Sequence, residues 1–433
     1  MPEGGSSEEP SATLSRRALL GRAGALAFGP SVLAPLADAL AGPSPGPGGL
    51  HKCLSLAGPG PPENGGHPND FRIWGNREFV RASRTEWVKM TLSWAALQPT
   101  DAPRSREAAW LDLNMAPGGE AWLSDLDRAV RAANDDGVRV IVTLHHAFPL
   151  WSNARPGPDP DSERLPEQQM PDDLSPDGPW GWFVGYLCAR YRGGMNPLGP
   201  HEPIAGEGTG GYDPRSGNPM GARIDALEIC NEPNTLYWPQ REAPRRVAEM
   251  IRSAEELSHR HAGPAILAPS TADSPDPGDD SDPRRETDWR SFSQRVLAEL
   301  RDFRPRVSVG WAQHNYRDVK RETSADKSRA QHVIALLHDG GWPGLDQRLW
   351  LTEGGYNLGA GFRDPDAKDE QARKIEKSVE EMRRVPEVCL WTQHTVNDIG
   401  TNDFHAGLRD AFRYGSAAGP GAPRPAYEAW KRV

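Results

Sequence analysis

The stretch Ile224-Asp225-Ala226-Leu227-Glu228-Ile229-Cys230-Asn231-Glu232-Pro233-Asn234-Thr235-Leu236-Tyr237-Trp238-Pro239 decides the fold. Its run Ala226 to Cys230 is largely apolar and β-prone, and the run stops at Asn231-Glu232-Pro233. Pro233 has no N–H to give a ladder, so pairing should end there and leave Glu232 at a strand's C-terminal end. Arg348-Leu349-Trp350-Leu351-Thr352-Glu353-Gly354-Gly355 repeats the design. A short apolar strand again delivers one glutamate, and glycines end it. Two carboxyls on two strand ends suit chemistry in which one group is protonated and the other ionised.

Working outward, strand and helix signals alternate along the chain. Strands are expected at 51–57, 87–94, 138–144, 224–230, 265–268, 307–312, 349–352 and 388–393. Helices are expected at 76–85, 120–136, 179–192, 244–262, 289–303, 328–339, 369–384 and 426–431. The helix at 120–136 rests on apolar spacing through Trp122, Leu123, Leu126, Ala129, Val130 and Ala133, with Gly137 as its stop. Parallel strands need long crossovers, and eight βα units imply a closed (β/α)8 TIM barrel rather than an open doubly wound sheet. No Gly-rich phosphate loop follows the early strands, which weighs against the open sheet. The chemically loaded residues His145, His146, Asn231, Glu232, His314, Tyr316, Glu353 and Trp391 all fall at or near strand ends, where such barrels carry their sites.

Composition sets the bounds. The chain has 433 residues, 37% hydrophobic and 25% charged, with a net charge of -10 and no basic block beyond the N-terminus. That charge argues against nucleic acid as a partner. Trp outnumbers each of the other aromatics, at 15 against 10 Phe and 8 Tyr. These indoles pack the core or line a groove for flat ligand faces. The four cysteines, Cys53, Cys188, Cys230 and Cys389, have no zinc-like spacing and read as buried thiols. A Cys53–Cys389 bridge stays open if the first and last strands are neighbours.

At the N-terminus, Ser15-Arg16-Arg17-Ala18-Leu19-Leu20 precedes an Ala/Gly/Leu-rich run to Ala41. A twin Arg before a modest apolar segment reads as a twin-arginine export signal over 1–41, with Ala39-Leu40-Ala41 or Ala37-Asp38-Ala39 as cleavage site. Arg22, Pro30 and Pro35 interrupt the run, which disfavours an uncleaved membrane anchor. Residues 42–49 form a Pro/Gly linker, and 50–433 a single domain. The expectation is an exported protein that is monomeric and free of membrane after cleavage.

At Asn231-Glu232-Pro233, His314-Asn315-Tyr316, Leu351-Thr352-Glu353-Gly354-Gly355, Trp391 and Val142-Thr143-Leu144-His145-His146, the chain resembles glycoside hydrolase clan A. Within that clan it is closest in style to the cellulase-like family five. The resemblance covers about 50–430. It implies a retaining glycosidase acting on an oligo- or polysaccharide, without cofactor or metal. Retention needs two carboxyls about 5–5.5 Å apart. By the resemblance Glu232 is the acid/base and Glu353 the nucleophile. Asn231 would bind the sugar 2-OH and His146 another hydroxyl. Tyr316 would orient Glu353, His314 would sit near Glu232, and Trp391 would form the floor under the reacting ring. Among the loop aromatics Trp151, Trp180, Trp182, Tyr237 and Trp238, Trp238 is a further sugar contact. One position departs from the pattern: Lys89 stands on the second strand where the family has Arg, and would help keep Glu353 ionised. Lys offers a point charge in place of a bidentate fork. Two other readings stay open, a non-catalytic carbohydrate-binding barrel and a metal-dependent hydrolase using His145 or His146. As neighbours on a strand, those two would point opposite ways and not share a metal. Glu228, further from the strand end, reads as a barrel-wall residue.

Overall fold

A computed structural model describes residues 49–56, 69–73, 75–98, 102–115, 119–146, 148–153, 169–191, 221–278, 282–342, 348–399, 404–413 and 419–433. The expected export signal at 1–41, all of the expected linker but Gly49, and most of the Pro/Gly-rich segment 192–223 lie outside these residues. Among the described residues no helix is long and apolar enough to cross a membrane.

Eight strands, β1 (His51–Leu56), β2 (Trp87–Leu92), β3 (Arg139–Leu144), β4 (Ala226–Glu228), β5 (Ala265–Thr271), β6 (Val309–His314), β7 (Leu349–Glu353) and β8 (Val388–His394), close into a barrel in sequence order. All neighbours are parallel, including β8 back onto β1. The fold is the expected (β/α)8 barrel. Around it run α1 (Asn76–Ala82), α2 (Trp94–Leu97), α3 (Arg106–Met115), α4 (Gly119–Asp135), α5 (Pro179–Arg190), α6 (Ala243–His261), α7 (Trp289–Glu299), α8 (Tyr316–Arg321), α9 (Arg329–Asp339), α10 (Pro365–Met382) and α11 (Pro425–Arg432). α6 shows why they form. Pro244 sits in its first turn, and Val247, Met250, Ile251, Ala254 and Leu257 repeat at helical spacing to make one buried stripe.

Strand alternation sorts side chains into two sets. Cys53, Trp87, Ile141, Ala226, Leu267, Ala312 and Leu390 fill one small buried cluster inside the barrel. The complementary positions, such as Val88, Val140, Leu227, Ile266 and Trp391, join the larger core under the helices. Gly310 of β6 is required by this filling: a Cβ there would lie 2.5 Å from Nε1 of Trp350, whose indole meets Trp87 edge-on at 5.3 Å. Two strand steps above the cluster, the same inward parity delivers Ser55, Lys89, Thr143, Glu228 and Thr392, and β6 and β8 end in His314 and His394.

All eight expected strands form, with shifts at their ends. β6 runs on to His314, and β5 extends past Ala268 to Thr271 with a register break between Pro269 and Thr271. The strand expected at 87–94 stops at Leu92, because the Ser93 hydroxyl accepts from Ala96 N and caps α2. Helices α2, α3 and α8 lie outside the expected helices. α3 buries only Ala109, Trp110 and Leu113 among its described side chains, too few for a clear periodic stripe. All four cysteines are free and buried. Cys53 lies opposite Thr392 in the β1–β8 register, three residues beyond Cys389, so strand adjacency does not bring the two sulfurs together.

Candidate active site

Glu232 stands four residues past the end of β4, on backbone with φ 46°. A left-handed conformation at a non-glycine residue is strained and persists only where the surroundings enforce it. Here they do. Glu232 N–H donates to Ser270 O at 3.0 Å, and its carbonyl accepts from Thr235 N–H at 3.1 Å and from the Thr235 hydroxyl at 2.8 Å. Asn234, fully buried, locks this loop to the one after β5. Its Nδ2 donates to the carbonyls of Ala272, Ser274 and Thr287 at 3.1–3.2 Å, and its Oδ1 accepts from Ala272 N–H at 2.8 Å.

Glu353 ends β7 in a ring of donors. The Tyr316 hydroxyl donates to Oε1 at 2.8 Å, and Lys89 Nζ donates to Oε2 at 3.2 Å. His314 Nε2 is 4.0 Å from Oε2, and His394 Nδ1 is 3.9 Å from Oε1. Burial opposes ionisation of Glu353. The imidazoles of His394 and His314, the Lys89 ammonium and the Tyr316 hydroxyl outweigh it and hold the carboxyl well below the usual range. Of these the ammonium is the fixed charge, because burial pulls His394 itself below its ordinary value. Lys89 is buried too, yet Glu228 and Glu353 raise its affinity for the proton. Burial and the Glu353 charge push the Tyr316 hydroxyl well up, so it stays a donor.

His314 joins the two glutamates. Its Nδ1 is 3.0 Å from Glu232 Oε1, and although burial opposes a charge on the ring, Glu353 and Glu232 raise its proton affinity. One oxygen of each glutamate and one ring nitrogen of His314 all lie within 4.8 Å of one another. The surroundings are unequal. The Glu353 side chain is 16% exposed, with an ammonium at its oxygen, whereas Glu232 is 31% exposed, with His314 beside it. These three residues could offer ligands to a cation. The Lys89 ammonium 3.2 Å from Glu353 Oε2 would repel a cation beside that oxygen, so the donor set does not fit a metal.

The expected residues divide into those at this cluster and those away from it. Glu232, Glu353, His314, Tyr316 and Lys89 come together. Asn231 is half-buried beside Glu232, its carbonyl accepting from Trp238 Nε1 at 3.1 Å. Two expectations need correction. Trp391 is fully buried on the outward parity of β8, donating from Nε1 to Ser378 of α10 at 3.1 Å and packing 5.6 Å from Trp430 of α11. It cannot be a floor under a ligand, and β8 presents His394 to Glu353 instead. Trp238 is fully buried against Phe148 and cannot touch a substrate, although it fixes the Asn231 backbone. The histidines after β3 also differ. The strand ends at Leu144, so alternation no longer applies, and the His145 and His146 rings lie 3.7 Å apart rather than on opposite faces. Burial lowers His145 against the pull of Glu353 and Glu232. Burial and His145 bring His146 down to about 4, and its ring stacks on exposed Tyr237 at 4.1 Å.

Several residues of the cluster escaped the sequence reading. His394 was one residue beyond the expected end of β8, so its signal was strand-end position alone. Its Nδ1 is 3.0 Å from Ser55 Oγ. Phe404 meets Tyr316 and His394 edge-on at 5.4 and 5.7 Å from a distant loop, with no local signal. Glu228, read as part of the wall, lies 3.0 Å from Lys89 Nζ.

No protein-family model matches the chain, and no curated protein matches it in sequence. Solved structures match its fold. GH5_18 from Streptomyces cattleya, in complex with GlcNAc, aligns with a TM-score of 0.50 at 15% identity, covering 88% of this chain and 79% of that one. Fpglu1 from Fervidobacterium pennivoraus aligns with a TM-score of 0.50 at 12% identity, covering 89% and 95%. At these identities the likeness is one of fold.

Proposed function

We propose that the protein is an exported retaining β-glycosidase, hydrolysing O-glycosidic bonds of an oligo- or polysaccharide by double displacement. One observation carries the reading: two carboxyl oxygens within 4.8 Å of each other, one carboxyl held ionised and the other open to solvent. Oxygens that near leave little room for the water that inversion seats between a carboxyl and the sugar, which favours the closer pair of carboxyls that goes with retention. Glu353, held as an anion, attacks the anomeric carbon. Glu232, more exposed and with His314 beside it, gives its proton to the leaving oxygen. It then takes a proton from the water that hydrolyses the glycosyl ester. In this reading Tyr316 and Lys89 orient the nucleophile, and Asn231 and His146 bind sugar hydroxyls. The GlcNAc in the Streptomyces cattleya neighbour supports a saccharide ligand. The twin Arg at 16–17 supports export through the twin-arginine route, with a monomer free of membrane as the product.

The test is a screen of the full chain against aryl β-glycosides and polysaccharides, with Glu353→Gln beside it. Cleavage by the wild type that the variant loses supports the reading and names the sugar. Cleavage unaffected by the substitution refutes it.

A further inference from the structure

Lys89 has two carboxylates within reach, and only one of them belongs to the chemistry. Its Nζ lies 3.0 Å from Glu228 Oε2 and 3.2 Å from Glu353 Oε2. Glu228 is wholly buried, two residues up its strand from Ala226 of the inner cluster. The Thr143 hydroxyl donates to its Oε2 and the Ser270 hydroxyl to its Oε1. Ser270 sits in the register break of β5 with φ 54°, which turns its hydroxyl inward while its carbonyl receives the Glu232 N–H. A carboxylate held by two hydroxyls, one of them on strained backbone, is more than the barrel needs to fill that space. An apolar side chain would fill it with no desolvation cost.

The chemistry supplies the need. In the proposed reaction a Glu353 oxygen bonds to the anomeric carbon as the bond to the leaving oxygen breaks, and that oxygen takes the proton of Glu232. Glu353 is then a neutral ester. If it were the only anion beside Lys89, whose side chain is 2% exposed, the ammonium would be left buried and unpaired. We infer that Glu228 is a positioning residue: the standing counter-ion of Lys89, fixed by Thr143 and Ser270, that keeps the ammonium paired and in place while Glu353 is esterified. The inference rests on the glycosidase reading for the step itself. The charge sharing that it requires is a property of the fold and is measured without substrate.

The experiment is a thermal unfolding cycle on the full chain: wild type, Glu228→Gln, Glu353→Gln, and the double variant. Each single substitution leaves Lys89 one anion, and the double leaves none. The expected fall in Tm for the double exceeds the sum of the singles by about 5 °C or more. Adding Lys89→Met to the double restores most of that excess. Additive losses, or a triple variant no more stable than the double, overturn the inference. If the double does not fold, a folded triple supports it and an unfolded triple overturns it. On an aryl β-glycoside that the wild type cleaves, Glu228→Gln slows ester formation on the order of 10²-fold but not ester hydrolysis, so a burst of released phenol disappears. Equal slowing of both steps overturns the catalytic part. Hydrolysis retained by Glu353→Gln defeats the glycosidase reading and leaves the thermal cycle standing.

Discussion

Replacing Lys89 by Met removes one buried charge while keeping most of the side chain's volume. Unit charges 3.2 Å apart attract by about 5 kcal/mol at an effective dielectric of 20. Part of that is returned, because an ammonium need no longer be desolvated and the Tyr316 hydroxyl still donates to Glu353. If about half is lost, the Glu353 carboxyl becomes easier to protonate by about 2 pH units. The sign follows from the geometry. Glu353 is held below its ordinary 4.5, and attack requires the anion, so its acid limb in kcat/KM lies below that pH in the wild type. Losing Lys89 moves the limb upward, and transition-state stabilisation falls on the order of 10²-fold. The assay is kcat/KM for an aryl β-glycoside between about pH 3 and pH 8, with circular dichroism at each pH. Lys89→Met combined with Glu228→Gln controls for the carboxylate left without a cation. An acid limb that coincides with the wild type's, with a loss of less than about 3-fold, would refute the role given to Lys89.

Two further outcomes test the surroundings. Trp391→Phe should lower stability by about 1–3 kcal/mol through a lost hydrogen bond and a cavity, yet leave KM within about 2-fold. A large rise in KM with unchanged Tm would return Trp391 to the ligand. Asp273 lies just beyond β5, 3% exposed, and burial lifts its carboxyl from 3.8 to about 6 against the hydrogen bond from Arg317 N–H. A raised carboxyl stabilises the fold at low pH and loses that advantage as pH rises through both values. The difference, 6 minus 3.8, corresponds to about 3 kcal/mol above pH 6. Asp273→Asn should therefore be more stable than the wild type in urea unfolding at pH 8 and similar at pH 4. Destabilisation at both pH values would sink that account.

The barrel was legible because its signals are local. Each strand is a short, largely apolar run, helices such as Ala243–His261 carry a 3.6-residue stripe, and Gly137 and Gly354 mark ends that the structure keeps. The placement of Glu232, Glu353, His314, Tyr316 and Lys89 in one cluster follows from that regularity, since four are at or just beyond strand ends and Lys89 points inward from the middle of β2. The misplaced residues fail for physical reasons. Trp391 was assigned by strand and not by parity, and one residue of register carries a side chain from the barrel interior to the helix layer. Trp238 was counted as an open loop aromatic, while tertiary packing against Phe148 buries it. Ser270 and Phe404 carry no local signal. The first depends on a break in β5 pairing, and the second on a loop that returns from ten residues beyond β8.

The most direct test of the central claim is the anomeric configuration of the first product. The full chain is given an aryl β-glycoside that it cleaves, and proton NMR follows the sugar before mutarotation. Glu232 and Glu353, with oxygens within 4.8 Å, predict that the β-anomer appears first and the α-anomer grows in later. Initial release of the α-anomer would mean a single displacement by water and would contradict Glu353 as nucleophile.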